Sequence, residues 1–209
     1  MSGRRLGLLG GSFDPIHRGH LHAARTAQAA FDLDRVIFVP AAHPPHKPDR
    51  RLAPGPDRLA LVELAIAGEP TWSACDLELH RSGPSYTIDT VRELAEYVGE
   101  PARASLFLIL GLDNLEGLLD WQRADELLER VQPVLIPRAG APLPDLDRLL
   151  EGRPVAWRAA LERGLLELPN VSGRSTDLRA TFAGDAPASQ DLPPGVEQYI
   201  RSHGLYQDR

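Results

Sequence analysis

Short apolar segments alternate with helical segments along much of the chain, and this alternation constrains the fold more than any other feature. Residues 5–9 form an apolar segment that ends at Gly10 and Gly11, and a helical pattern follows over residues 17–31. Residues 35–39 are β-branched and aromatic and stop at a proline, which is typical of a buried strand. This order predicts a βαβ unit with parallel strands.

The alternation continues beyond this unit. Residues 40–56 are too rich in proline for a helix or a central strand, and such a long loop is typically a lid or a binding element. Asp57 is predicted to cap the next helix, and a second helix is predicted over residues 87–98. Residues 105–110 and 134–136 resemble fully buried strands. The predicted class is α/β, with a doubly wound parallel sheet that binds ligands at the carboxyl ends of its strands.

The rest of the chain is predicted to be mostly helical. Its 209 residues, 43% of them hydrophobic, are enough to bury the core of one sizeable domain, so we expect a single domain over residues 1–209. A helical C-terminal subregion is expected from about residue 175. Helical patterns cover residues 145–151, 154–163, 175–182 and 194–203.

Charge and cysteine content restrict the partners and the compartment. The formal net charge of −6 and the pI near 5.6 argue against a surface that neutralises the many phosphates of duplex DNA or tRNA. The one cysteine, Cys75, has no intramolecular partner for a disulfide, which suits a reducing compartment. The basic and apolar start of the chain lacks a cleavage site, and no segment approaches eighteen apolar residues. We expect a cytoplasmic protein.

The most informative segment is Gly10-Gly-Ser-Phe-Asp-Pro-Ile-His-Arg-Gly-His20, where the first strand turns into the first helix. His17 and His20 are predicted to share one helical face in the first turn, next to unpaired backbone N–H groups and the positive end of the helix dipole. The glycines allow the backbone to approach an anion closely. This arrangement favours a polyphosphate ligand.

Other interpretations of the same residues remain open at this point. Gly10 and Gly11 alone also suit an ordinary tight turn, and two histidines at this spacing are as often surface or core residues as ligands. A zinc site is conceivable, although the single cysteine and the lack of a nearby third ligand count against it. The position of the whole set at a strand-to-helix turn favours phosphate.

The motif Gly-Gly-Ser-Phe-Asp-Pro-x-His-x-Gly-His resembles the signature of the nucleotidyltransferases with an H-x-G-H motif, and most of all bacterial nicotinate-nucleotide adenylyltransferases. The GxGxxG and Walker-type motifs are both absent from the sequence, which disfavours a dehydrogenase or a kinase-like NTPase. The resemblance extends over most of the chain, through Pro44-Pro-His-Lys47, Pro84-Ser-Tyr-Thr87, Gly111-Leu-Asp113, Trp121, Arg138 and Ser175-Thr-Asp-Leu-Arg179.

The resemblance implies a Rossmann-like fold and adenylyl transfer from ATP, with Mg²⁺ bridging the phosphates of the nucleotide. It implies that His17, His20 and Arg179 are catalytic, with His20 nearest the α-phosphate. On sequence alone, Asp113 suits a helix N-cap equally well, and for Ser175 the N-cap interpretation is the favoured one. The ATP-binding residues that the resemblance implies are Gly10, Gly11, Ser12, Phe13, His17, His20, Gly111, Asp113, Ser175, Thr176 and Arg179.

The resemblance also implies a site for nicotinate mononucleotide. An aromatic residue at the position of Trp121 stacks on the pyridine ring in this family, and amides around Thr87 receive the carboxylate; Trp121 also suits the core, as Trp72 and Trp157 do. The chain departs from the family pattern at Ala41-Ala42 and at Arg174. The implied substrate-binding residues are Lys47, Tyr86, Thr87, Trp121 and Arg138.

Three other functions compete with this one. The closest is another nucleotidyltransferase with the same motif, acting on nicotinamide mononucleotide or phosphopantetheine. A non-catalytic nucleotide-binding module would not require both motif histidines, which this chain retains. A fragment related to class I aminoacyl-tRNA synthetases shares the histidine motif, but the short chain and acidic charge count against it. The sequence leaves the oligomeric state open.

Overall fold

The structure, a computed structural model, describes residues 4–45, 51–97, 104–137, 144–166, 178–179, 182 and 190–207. Five strands form one sheet in the order β3-β2-β1-β4-β5, and every neighbouring pair is parallel. The strands are β1 (Arg4–Gly11), β2 (Arg35–Pro40), β3 (Trp72–Ala74), β4 (Ala104–Gly111) and β5 (Val131–Ile136).

Helices cover both faces of this sheet, so the predicted doubly wound α/β fold is confirmed. Within the described residues, no helix is both long and apolar enough to span a membrane. The helices are α1 (Arg18–Ala30), α2 (Gly55–Ile66), α3 (Thr87–Tyr97), α4 (Leu115–Leu118), α5 (Ala124–Arg130), α6 (Leu146–Leu149), α7 (Val155–Gly164) and the C-terminal helix Val196–Ser202, with 3₁₀ turns at Leu77–His80 and Leu112–Asn114.

Alternation along the strands divides the core into two layers. Leu6 and Leu8 of β1 pack with α3, α5 and α7, whereas Leu9 packs with α1, α2 and the C-terminal helix. Gly7 faces the second layer, where an added Cβ would lie 2.9 Å from Leu33 and 3.0 Å from Ile109. Because both faces of the sheet are covered, the strands are apolar nearly throughout, as the sequence predicted.

Several boundaries differ from the sequence predictions. β3 was not predicted, because a three-residue edge strand carries little hydrophobic pattern. Asp57 does not cap α2, which begins at Gly55 after Pro54; instead its carboxylate accepts a hydrogen bond from the Tyr199 hydroxyl at 3.0 Å. Most of the predicted helix over residues 175–182 lies outside the described residues.

The strand order places the ligand crevice between β1 and β4. From β1 the chain builds the sheet outward through β2 and β3, and it then returns to the other side of β1 to add β4 and β5. The crossover helices on the two sides lie on opposite faces, so a crevice opens at the carboxyl ends of the two central strands. Gly10 and Gly11 end β1, and Gly111 ends β4.

Candidate active site

The turn after β1 has an unusual backbone. Gly10 and Gly11 still pair with β2, and Phe13 then adopts a left-handed conformation with φ of 44°. The Asp14–Pro15 peptide bond is cis. The Phe13 ring is buried, and it packs edge-on against His20 with a centroid distance of 5.1 Å. This buried aromatic ring therefore supports one of the two motif histidines.

Buried charged groups hold the turn in place. The Arg58 guanidinium donates to the Ser12 carbonyl at 2.7 Å and to the Ala53 carbonyl at 2.9 Å. The Asp14 carboxylate accepts from the Ala53 amide at 3.0 Å, and the Arg179 guanidinium donates to the Asp14 carbonyl at 2.7 Å. These bonds join α2, the end of the proline-rich loop and residue 179 to the turn.

Because these charged groups are buried, the stability of the fold depends strongly on their pairing. Asp14 is fully buried and Arg58 is 2% exposed. Desolvation lowers the pKa of Arg58, and the Asp14 carboxylate opposes that shift by favouring the charged guanidinium. Removing either charge would leave the other buried with fewer compensating groups, which is strongly destabilising.

His17 and His20 form a reciprocal cap at the start of α1. His17 is the N-cap residue, with an extended backbone, and its carbonyl accepts from the His20 amide at 2.9 Å. The His17 amide in turn donates to Nδ1 of His20 at 3.2 Å. The two rings are in contact at a tilt of 31°, with a centroid distance of 3.8 Å. Because Nδ1 of His20 accepts a hydrogen bond, the proton of the neutral ring is assigned to Nε2.

The helix amides contribute less to this site than the sequence predicted. The Arg18 amide donates to the Asp191 carbonyl at 2.8 Å, and the His20 amide is taken by His17. The expectation of a set of unpaired amides in the first turn is therefore wrong for these two groups. Gly19 lies between them and lines the cavity described next.

A cavity of about 780 Å³ opens at the carboxyl ends of β1 and β4. Its lining brings together ten of the residues that the sequence predicted, from segments far apart along the chain. They are Gly10, Gly11, Ser12, His17, His20, Tyr86, Thr87, Gly111, Asp113 and Trp121.

The other predicted residues are placed differently. The side chains of Phe13 and Arg179 are not among those lining the cavity: Phe13 packs in the core, and Arg179 contacts Asp14. Any contact of Phe13 with a nucleotide would therefore involve its backbone. Lys47, Arg138, Ser175 and Thr176, together with Arg174, lie outside the described residues.

Asp113 lies where β4 gives way to a 3₁₀ turn. Gly111 is the N-cap residue of that turn and Asn114 is the N-cap residue of α4, so the alternative assignment of Asp113 as an N-cap is wrong. The amide of the Asn114 side chain donates to the Asp113 carboxylate and to the Gly111 carbonyl, both at 3.3 Å. A carboxylate oriented in this way at the rim of the cavity can accept from ligand hydroxyls.

Another part of the lining contains Tyr86, Thr87 and Trp121. Thr87 is the first residue of α3. The Asp89 amide already donates to the Tyr86 carbonyl at 3.1 Å, so the helix leaves the first two amides, those of Thr87 and Ile88, for an anionic group. Trp121 is partly buried against the core and also lines the cavity, whereas Trp72 and Trp157 are buried as predicted. A ring with one face against protein and its remaining surface at a cavity can stack on a planar ligand.

Four polar residues of the site were missed in the sequence: Arg58, Glu78, Ser85 and Thr90 are all buried. Arg58 precedes Leu61 and Val62 by three and four residues, so it falls on the buried stripe of α2. That pattern is the only sequence signal for a buried charge here, and it is weak because an arginine stem often covers apolar surface.

The part of the chain that the structure describes contains no set of side chains suited to bind zinc. Among residues 4–45, 51–97, 104–137, 144–166, 178–179, 182 and 190–207, no three His, Cys, Asp or Glu side chains are grouped to hold a metal ion. The motif histidines are instead engaged with each other and with the helix backbone.

The fold and the site together define a nucleotidyltransferase. The sheet is parallel, and the Gly-Gly turn and the H-x-G-H segment lie at the point where its strand order reverses. The Cytidylyltransferase-like family profile matches residues 8–179.

Comparison with known proteins identifies one family within the nucleotidyltransferases. A probable nicotinate-nucleotide adenylyltransferase of Dehalococcoides mccartyi strain 195 is 39% identical over 202 residues, covering 97% of both chains. One from Symbiobacterium thermophilum is 42% identical, covering 97% of this chain and 95% of the relative. The chain therefore belongs to the nicotinate-nucleotide adenylyltransferase family.

Solved structures agree on the fold. The Plasmodium falciparum nicotinic acid mononucleotide adenylyltransferase complexed with NaAD superposes with a TM-score of 0.77. The alignment covers 99% of this chain and 98% of that one at 18% sequence identity. At that identity the likeness supports the shared architecture and no individual residue role.

Proposed function

We propose that the protein transfers the adenylyl group of ATP to nicotinate mononucleotide, giving nicotinate adenine dinucleotide and pyrophosphate. The observation that carries this proposal is the placement of His20, in its Nε2–H tautomer, on the lining of a cavity that Gly10 and Gly111 also border. Family membership supports the choice of both substrates.

The reaction requires alignment and charge stabilisation rather than a protein nucleophile. The phosphate of the acceptor attacks the α-phosphorus of ATP in line, the bond to the bridging oxygen breaks, and pyrophosphate leaves with the negative charge. An N–H donor fixed beside the reacting phosphoryl oxygens stabilises the charge that accumulates there. His20 is suited to this role because the His17 amide fixes its ring orientation and tautomer.

The two substrates would occupy opposite walls. Gly10 and Gly11 allow the polyphosphate to approach the backbone, and Asp113 accepts from the ribose hydroxyls of adenosine. On the other wall, amides near Thr87 receive the nicotinate carboxylate and Trp121 stacks on the pyridine ring. Backbone N–H donors suit a carboxylate better than an amide, so we propose a preference for the acid over nicotinamide.

We propose that four further residues singled out in the sequence contribute to phosphate binding, together with Mg²⁺ carried by ATP. Lys47 and Arg138 would supply positive charge, and Ser175 and Thr176 would supply hydroxyl donors. Arg179 differs, since its contacts with Asp14 support a role in holding the turn. Its direct contact with the β- and γ-phosphates stays a prediction.

We further propose that the enzyme works in the cytoplasm as a single domain on small molecules alone. Its acidic charge and single cysteine support this proposal.

The test is pyrophosphate release by the purified protein with ATP and Mg²⁺ and one acceptor at a time. Nicotinate mononucleotide, nicotinamide mononucleotide and phosphopantetheine are compared at equal concentrations. We expect the highest kcat/KM with nicotinate mononucleotide. Absence of release with that acceptor would reject the proposal, and a higher kcat/KM with either of the others would reassign the substrate.

A further inference from the structure

A buried carboxylate lies beside the acceptor wall and takes no part in the chemistry above. Glu78 is 6% exposed, lies in the 3₁₀ turn Leu77–His80, and lines the cavity with Ser85 and Thr90. Ser85 and Thr90 are also buried. The three residues come from the 3₁₀ turn, the loop after it and α3, and the Thr90 hydroxyl donates to the Glu78 carboxylate.

Neighbouring N–H groups donate to the Ser85 and Thr90 hydroxyl oxygens, and this leaves each hydroxyl proton to be donated to a further group. The Ser85 hydroxyl oxygen accepts from the amides of Ala42 and His43, both at 3.1 Å, so both of its lone pairs are used. The single Ser85 hydroxyl proton is therefore available to the Glu78 carboxylate, and Ser85 lowers the pKa of that group. A carboxylate is suited to this position because it only accepts.

The Thr90 hydroxyl is oriented in the same way. It accepts from the Arg81 guanidinium at 3.3 Å and donates to the Glu78 carboxylate. Arg81 also pairs with Glu93 at 2.7 Å, at the edge of the cluster. Burial raises the pKa of Glu78, and the hydrogen bonds from Thr90 and Ser85 act against that shift.

The cluster connects the two segments that form the acceptor wall. Ala41, Pro44 and Pro45 line the cavity on one segment, and Tyr86 and Thr87 line it on the other. The Ser85 amide also donates to the His43 carbonyl at 2.9 Å, so the two segments are joined through both the backbone and the Ser85 side chain.

We propose that Glu78 is a positioning residue that sets the geometry of the acceptor wall by fixing the directions of the Ser85 and Thr90 hydroxyl hydrogen bonds. The inference rests on the proposed function for the identity of the acceptor. It assigns Glu78 no contact with the reacting atoms. Loss of the cluster loosens the acceptor subsite and leaves the ATP subsite, formed by β1, α1 and the end of β4, in place.

The test separates a hydroxyl effect from a packing effect. Thr90→Val keeps the shape of the side chain and removes the hydroxyl, whereas Thr90→Ser keeps the hydroxyl. We expect Thr90→Val to raise the KM for nicotinate mononucleotide by about tenfold or more, as the loss of a hydrogen bond to a charged group does, with a KM for ATP within about twofold of wild type. Thr90→Ser should restore the wild-type KM.

Glu78→Gln provides the second variant if Thr90→Val does not fold. Glutamine replaces one carboxylate oxygen with an NH₂ donor and removes the negative charge, so it holds the two hydroxyls less firmly, and the same change in KM is expected. Glu96→Gln is the matched control, because Glu96 is an exposed residue of the same helix, α3. Its two KM values should stay at wild-type levels.

Amide hydrogen exchange provides a readout that does not depend on the substrate. In Thr90→Val the amides of Ala42 and His43 should exchange faster, since their acceptor is no longer held. Wild-type protein that is inactive with nicotinate mononucleotide would reject the proposed function alone. Equal rises in both KM values, a Thr90→Ser variant that behaves like Thr90→Val, or unchanged exchange at residues 42 and 43 would overturn the role of Glu78.

Discussion

The two ring nitrogens of His20 perform separate tasks, and two substitutions can separate them. Nδ1 accepts from the His17 amide and caps α1, whereas Nε2 carries the proton that the proposed mechanism uses. In His20→Asn the side-chain oxygen can occupy the position of Nδ1, so the cap is kept and the donor is lost. In His20→Gln the terminal amide nitrogen can occupy the position of Nε2, so a donor is kept and the cap is lost.

The expected magnitudes follow from these contacts. Loss of one preorganised donor to a developing oxyanion costs about 10²–10³ in kcat, or ~2.7–4 kcal/mol, and we expect this loss in His20→Asn. Loss of a helix cap costs ~1 kcal/mol of stability, which we expect in His20→Gln with a smaller fall in kcat. The rise in KM for ATP should be modest in both variants, because the proposed mechanism uses His20 mainly in the transition state.

The assays are single-turnover pyrophosphate release and urea unfolding of the same preparations. The reasoning predicts opposite rankings, with His20→Asn the more stable variant and His20→Gln the more active one. It would be refuted by a His20→Asn variant with wild-type kcat, or by activity that falls in parallel with stability in both variants. His20→Ala removes both functions and should show both losses.

Other substitutions test the buried Arg58–Asp14 pair, the packing of α7 against the sheet, and the acceptor wall. Arg58→Met should lower the free energy of unfolding by ~3–5 kcal/mol, because it leaves the Asp14 carboxylate buried with one cation fewer, and denaturant unfolding measures this. Gly164→Ala should destabilise by ~1–3 kcal/mol, since its Cβ would overlap the Pro133 carbonyl of β5; thermal unfolding measures this. Trp121→Ala should raise the KM for nicotinate mononucleotide by about 2- to 12-fold, the equivalent of ~0.5–1.5 kcal/mol of lost ring stacking, in steady-state assays.

Each of these changes has a matched control. Arg25→Met removes an exposed ion pair with Glu69 and should change stability by less than ~1 kcal/mol. Gly68→Ala places its Cβ in open space, so it should not reproduce the loss at Gly164. Trp121→Phe keeps an aromatic face and should retain most of the affinity. The explanation given for Arg58, Gly164 or Trp121 is wrong if its control variant loses as much stability or affinity as the test variant.

Much of the site was predictable because it is built from one continuous segment. The motif from Gly10 to His20 carries its own turn glycines and both histidines, and its place between a strand and a helix was evident from the hydrophobic pattern. The place of Gly111 and Asp113 at the end of β4 was predictable for the same reason. These features depend on residues that are neighbours in sequence.

Other features depend on residues that are distant in sequence. The sequence shows Arg58, Glu78 and Thr90 as ordinary polar residues, and only the fold buries them. The prediction that amides of the first turn of α1 are unpaired was wrong for Arg18, because its acceptor is the carbonyl of Asp191 near the end of the chain.

Local pattern alone therefore determined four of the five strands, the longer helices, the parallel sheet and the place of the glycine-histidine turn, because periodicity and turn chemistry act between residues a few positions apart. Only the tertiary structure decided which buried charges compensate one another and how the acceptor wall is joined at Ser85. A buried polar group must find its partner wherever the packed chain brings one, and sequence spacing does not record that partner.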